Sequence, residues 1–186
     1  MKIGCLGWGS LIWDPQNLPF QRSWFCDGPF LPIEYARHSS RDRITLVLTP
    51  GAAMVRSLWT LMLVNDLDMA KISLAKREGI PAKNIQKDVG FCSGATKSDG
   101  VSSDVIAKWA SCIGLDTVVW TALPPKFDGQ DGKIPTAEDV ISFLRHPSQK
   151  YPGKAEEYIR KTPRQIDTEY RRRIEAELNW APVGEI

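Results

Sequence analysis

Apolar positions come in short runs through the first half of the chain and at helical spacing towards its end. Lys2–Trp8 reads as a strand that ends in a glycine-rich turn. Pro29–Arg37 reads as a second strand, broken early by Pro32, and the β-branched run Arg43–Thr49 as a third. Pro50-Gly51 marks a turn, and Met54–Val64 reads as one longer strand, buried on both faces for part of its length. A helix follows, capped by Asn65 or Asp66, with Leu67, Ala70, Leu74 and Ile72 facing inward. It should end near Glu78, because Gly79 suits the left-handed cap and Pro81 prevents continuation. Lys83–Ser102 is polar and rich in glycine and serine, a loop with at most one strand around Val89–Cys92.

Beyond that loop the pattern turns helical. Ser103 caps a helix over Asp104–Ile113, and Asp116–Leu123 is a strand stopped by Pro124-Pro125. Pro135–Leu144 and Lys154–Lys161 are helices. The last helix opens on Thr162-Pro163-Arg164-Gln165, a capping-box pattern with proline in the first turn. Its inward residues are Ile166, Tyr170, Ile174 and Leu178, which puts the Arg171–Arg173 run largely on a solvated face, paired with Glu169, Glu175 and Glu177. The expectation is a single α+β domain over 1–186. Residues 1–123 form a core whose strands curl into a small barrel, and 124–186 a helical extension packed on it.

Composition narrows the field. The 186 residues carry 24 Lys plus Arg against 22 Asp plus Glu, a net charge of +2. That balance argues against nucleic acid and anionic membranes as partners. No apolar run approaches the roughly 20 residues of a membrane helix, and no signal-peptide pattern is seen at the start, so a cytoplasmic location is expected. Cys5, Cys26, Cys92 and Cys112 form no C-x-x-C pair, and His38 and His146 are the only histidines. A zinc or other metal site is therefore not expected, and the thiols read as reduced and mainly buried.

Several catalytic motifs fail on spacing. Gly4, Gly7 and Gly9 do not make the dinucleotide-binding pattern, and no Walker lysine is present. Ser10 lacks the flanking glycines of a nucleophile elbow. Nothing in the spacing pairs Cys5, Cys26 or Cys92 with His38 as an activated thiol.

Two features remain. Gly7–Pro15 (GWGSLIWDP) runs from a strand into a turn whose successive N–H groups can form an anion-binding nest. A tight barrel corner would have the same look. Glu78 falls at a helix C-terminus, the negative end of the dipole, where a carboxylate is disfavoured. Facing an apolar pocket, its pKa would rise into the range of a general base; facing water, it would be one more surface glutamate.

Gly7–Pro15 closely resembles the G-Y-G-S-L-I-W-x-P signature of the gamma-glutamyl cyclotransferase-like superfamily, especially its ChaC-like branch. The elements that follow resemble it in order and spacing: the strand Ser57–Val64, the acidic turn Asn65-Asp66, the helix Leu67–Arg77, and Glu78-Gly79. The resemblance covers about the first 80 residues. It implies a small mixed β-barrel flanked by helices and an enzyme that converts gamma-glutamyl amides, glutathione-related compounds among them, into 5-oxoproline and a free amine. It implies no cofactor. Gly7, Trp8, Gly9, Ser10, Leu11 and Ile12 would hold the gamma-glutamyl group with main-chain donors, and Glu78 would act as the base. Trp8 stands where the family has tyrosine, and the last 100 residues do not match its well-studied members. Arg37, His38, Ser40 and Arg41, a polar cluster before a buried strand, are candidates for the leaving part of the substrate. The alternative is a non-catalytic module binding a small carboxylate on the same fold. An adaptor reading rests on Arg171–Arg173 alone.

Overall fold

The computed structural model describes residues 1–146 and 148–183; residues 147 and 184–186 of the expected C-terminal extension lie outside them. In chain order the strands are β1 Ile3–Gly7, β2 Phe30–Ser39, β3 Arg43–Leu48, β4 Met54–Arg56, β5 Leu58–Leu61, β6 Val89–Ser93, β7 Thr96–Lys97, β8 Thr117–Thr121, β9 Lys126–Phe127 and β10 Gln130–Asp131. The helices are α1 Leu67–Glu78, α2 Ile85–Asp88, α3 Ser103–Cys112, α4 Ala137–Leu144, α5 Lys154–Lys161 and α6 Glu169–Leu178. The class is α+β, as expected. The strands do not close into a barrel; they form two open mixed sheets, ordered β5-β1-β8-β6-β7 and β10-β9-β2-β3, with β4 also on β2.

The chain divides into two compact units. The first comprises Met1–Gly7, Asp14–Leu31 and Arg56–Leu123. At its centre β1 pairs parallel with β8 and antiparallel with β5. Ile3, Cys5, Leu6, Leu58, Leu74, Ile106, Val118 and Trp120 supply its buried side chains. Gly90 is needed where it stands: a Cβ there would run into the indole of Trp120. No described helix is long and apolar enough to cross a membrane.

The second unit comprises Trp8–Trp13, Pro32–Val55 and the chain from Pro124 on. Its spine is the β2–β3 hairpin, in register from Ile33 opposite Leu48 to Ser39 opposite Arg43, with a bulge between Tyr35 and Arg37. Glu34 lies in this spine at 3% exposure. Its carboxylate accepts from Tyr35 N (2.8 Å), Thr168 Oγ1 (2.5 Å) and Tyr170 N (3.2 Å). It thereby ties β2 to the start of α6, the positive end of that helix.

Burial pushes the Glu34 carboxyl above its ordinary value of 4.5, against the pull of the three donors. A raised carboxyl keeps its proton in the folded chain after the unfolded chain has lost it. Its contribution is thus fully present below 4.5 and is lost as pH rises through the folded value. Urea melts between pH 4.5 and 8 should therefore show the stability of wild type relative to Glu34→Gln growing as pH falls. A difference that is flat or of opposite slope would contradict this.

Several sequence expectations are corrected. Met54–Val64 is not one strand: it breaks at buried Ser57, whose N and Oγ both donate to Pro29 O (3.0 and 2.8 Å). The two halves join different sheets, β4 on β2 and β5 on β1. Pro32 does not break β2; its carbonyl accepts from Thr49 N (2.7 Å). Residues 82–93 are ordered as a short 3-10 turn, α2 and β6. Ile72 is 49% exposed, and Lys71 and Ala75 take the inner face of α1 beside Ala70 and Leu74. Ser103 is the first residue of α3, not its cap. The final helix begins at Glu169, with Thr168 Oγ1 accepting from Arg171 N (3.2 Å). Cys5 and Cys92 are buried, but Cys26 and Cys112 are exposed.

Candidate functional site

Glu78 ends α1 in the first unit. Asp66 opens that helix, accepting from Met69 N (2.8 Å), and Gly79 closes it at φ 67°. Only glycine takes that left-handed conformation at no steric cost, so Gly79 has a local reason to be there. Ile80 N then reaches back to Ala75 O (2.8 Å). Glu78 has no such local reason: at this end of the helix a carboxylate opposes the dipole.

Arg77 offsets that cost. Its Nη1 donates to Glu78 Oε1 (2.8 Å), and the two side chains are 7% and 19% exposed. Adjacent residues on a helix ordinarily diverge. Here the Arg77 guanidinium is held from the other side by the Asp14 carbonyl, which accepts from Nε (3.1 Å) and Nη2 (2.6 Å). The Glu-Gly element and the downstream end of the GWGSLIWDP segment are thus joined through one arginine, 63 residues apart in sequence. Behind this corner the Cys5 thiol is fully buried. Its pKa is pushed far above the thiol range, chiefly by burial and further by the Glu78 carboxylate, with Arg77 pulling the other way. Cys5 is therefore a neutral thiol at physiological pH and no nucleophile.

The turn itself belongs to the second unit. Ile12 N donates to Gly9 O (3.0 Å), so Ile12 contributes its place in the turn and not a donor. Trp8 and Leu11 are buried. The Trp8 indole Nε1 donates to Leu46 O (3.2 Å), so Trp8 spends its polar atom inside the fold. Gly9 is small for a reason the sequence does not disclose. The space of its missing Cβ is filled by the hydroxyl of Tyr158, on α5, rather than left for a ligand. The Tyr158 ring also stands edge-on to Trp13, centroids 5.4 Å apart.

The polar cluster serves its own hairpin. Arg37 Nη1 donates to Pro124 O (2.6 Å) and lies 3.5 Å from Asp131, fixing the β9–β10 hairpin beside β2. His38 is 3.7 Å from Asp42 and packs on Phe143, centroids 4.7 Å apart. Ser40 and Arg41 are exposed in the β2–β3 turn, and the Ser40 carbonyl accepts from Arg43 Nε (3.1 Å). Arg43, which the sequence did not single out, reaches the Tyr158 ring from the hairpin, 5.5 Å from its centroid, and Tyr35 stands edge-on to the same ring, centroids 6.4 Å apart.

Two cavities lie elsewhere. One of about 700 Å³ in the first unit is lined by Cys92, Ala107, Ala110 and Leu115. One of about 350 Å³ in the second is lined by Phe143, His146, Tyr151 and Trp180. Neither is lined by Glu78 or the turn. Among the described residues no group of three His, Cys, Asp or Glu side chains converges to hold a metal ion. No family model, curated protein or solved structure matches the chain.

Proposed function

We propose that this chain is a gamma-glutamyl cyclotransferase-like enzyme, which releases an amine from a gamma-glutamyl amide and closes the remainder to 5-oxoproline. The observation that carries the reading is the Arg77 bridge. Arg77 bonds Glu78 and, through the Asp14 carbonyl, the Asp14 end of the GWGSLIWDP segment, all within the first unit.

The chemistry asks little of the protein. The Glu78 carboxylate takes a proton from the substrate α-ammonium, and the freed amine attacks the γ-carbonyl carbon of the same molecule. A new C–N bond closes the five-membered ring, Glu78 hands its proton to the departing nitrogen as the amide C–N bond breaks, and the freed carboxylate then takes the second proton from the ring nitrogen, so that both protons lost by the α-nitrogen leave with the amine as an ammonium. Atoms balance without water: one amide gives one 5-oxoproline and one amine. The nucleophile is the substrate's own, so its effective concentration is high, roughly 10⁵ M or more in a good geometry. The protein must hold the substrate bent and supply one base. The turn from Gly7 to Ile12 is the binding element, and Arg77 keeps the Glu78 carboxylate from rotating away. The family's barrel is not part of this reading, since the sheets are open.

The test is a turnover screen. Purified protein is incubated with glutathione, simple gamma-glutamyl amino acids and gamma-glutamyl amines, and 5-oxoproline is quantified against the amine released. Equimolar products from at least one substrate are expected. A panel with no product would overturn the cyclotransferase reading, and a gamma-glutamyl compound that raises the melting temperature without turnover would replace it with the binding module.

A further inference from the structure

The turn is held from one side by a residue outside the segment that resembles the family. β3 is an edge strand, with β2 on its inner side only. In an antiparallel pair a residue points its N–H and C=O to the same side, so every second residue of an edge strand presents both groups outward. At Leu46, 5% exposed, these outward groups are shut off from water and need partners. No strand provides them. The Leu46 carbonyl accepts from the Trp8 indole (3.2 Å), and the Leu46 N–H donates to the Tyr158 hydroxyl (3.2 Å). Two side chains, one at the start of the turn and one from α5, complete the sheet edge.

The same hydroxyl sits against Gly9, where a Cβ would collide with it, while the next ring atom, Cζ, would be 3.4 Å away. Gly9 does not have the positive φ that would itself demand glycine. Its requirement is close approach alone. The ring meets the far end of the turn at Trp13.

We propose that Tyr158 is the positioning residue of the Gly9–Ile12 turn, clamping its backbone to the open edge of β3 so that the substrate meets a preformed binding element. This rests on the reading of the turn as the gamma-glutamyl site. It also gives the C-terminal extension a task in the reaction. A turn that must be ordered by each incoming substrate costs affinity and leaves the bound chemistry alone, so loss of the clamp acts on KM.

Four proteins test it: wild type, Gly9→Ala, Tyr158→Phe and the double variant. Gly9→Ala alone should melt lower. Adding Tyr158→Phe should raise the melting temperature again, because the colliding oxygen is gone and Cζ is within ordinary reach. By itself Tyr158→Phe should speed hydrogen exchange at the Ile12 amide, which bonds Gly9 O, by about tenfold, and leave the Val119 amide in β8 unchanged. It should raise KM about five- to tenfold with kcat within about twofold. A double variant no more stable than Gly9→Ala, or a Tyr158→Phe protein with unchanged Ile12 exchange and KM, overturns the clamp. Wild type that makes no 5-oxoproline overturns the cyclotransferase reading instead, and the melting and exchange results then decide the clamp alone.

Discussion

Glu78→Gln should leave the protein folded and reduce 5-oxoproline formation by about 10²- to 10⁴-fold, the usual contribution of a positioned base. The substitution keeps shape and keeps an oxygen facing Arg77 Nη1, so the Arg77 link to Asp14 survives. What it removes is the ability to take a proton. Of the groups described around Glu78, Arg77 has no basic site, and the buried Cys5 thiol is held protonated well past neutral pH. Steady-state release of 5-oxoproline, with thermal unfolding alongside, checks this. A loss under tenfold would remove Glu78 from the role of base, and a large fall in melting temperature would make its role structural. A loss confined to kcat is the expected form, since the amide replaces the carboxylate without altering the shape offered to the bound substrate.

The two features that carry this reading were legible as places in the chain: the end of α1 is written locally in Gly79 and Pro81, and the turn after β1 shows as a glycine-rich run, although the reason for Gly9 is not local. What surrounds them was not legible, because it is set by partners far along the chain. Nothing near Arg77 announces that the Asp14 carbonyl will turn it towards its own neighbour. Nothing near Gly9 announces Tyr158, 149 positions later, although the glycine is there to make room for it. The run Met54–Val64 shows the same limit from the other side. Its apolar character predicts strand correctly, but which partner each half finds depends on Pro29, and that splits the run between two sheets. The barrel expectation failed there, since it took the whole run as a single wall. Even the Arg171–Arg173 run divides. Arg172 and Arg173 lie on the charged face as the periodicity predicts, while Arg171 is 1% exposed.

Arg171→Ala should be the most damaging single change in the second unit. The guanidinium donates through Nη1 to Pro163 O and to Ile166 O (2.9 Å), through Nη2 to Thr162 O (2.8 Å) and through Nε to Glu175 (2.9 Å). These carbonyls belong to the buried residues Thr162, Pro163 and Ile166 of the non-helical segment between α5 and α6, where Pro163 O also accepts from Ile166 N (3.0 Å). Alanine removes the side-chain donor from all three carbonyls, leaving Pro163 O with Ile166 N alone, and opens a large void, a loss of about 3–5 kcal/mol, the size seen when a buried charged group loses its place. For a chain of this length that lowers the melting temperature by roughly 10 °C. Arg172→Ala, next to it but exposed and paired among the described residues with Asp167, should leave the melting temperature where it was. Equal effects at the two positions would refute the distinction. The damage should also travel. Thr162, whose carbonyl Arg171 holds, donates through Oγ1 to Tyr158 O (3.0 Å), so the arginine fixes the end of the helix that carries the clamp. Arg171→Lys, which keeps the charge but can serve fewer of the acceptors, should fold with an intermediate melting temperature and show the raised KM of Tyr158→Phe. A lysine variant with lowered stability and wild-type KM would separate the two and confine Arg171 to holding the fold.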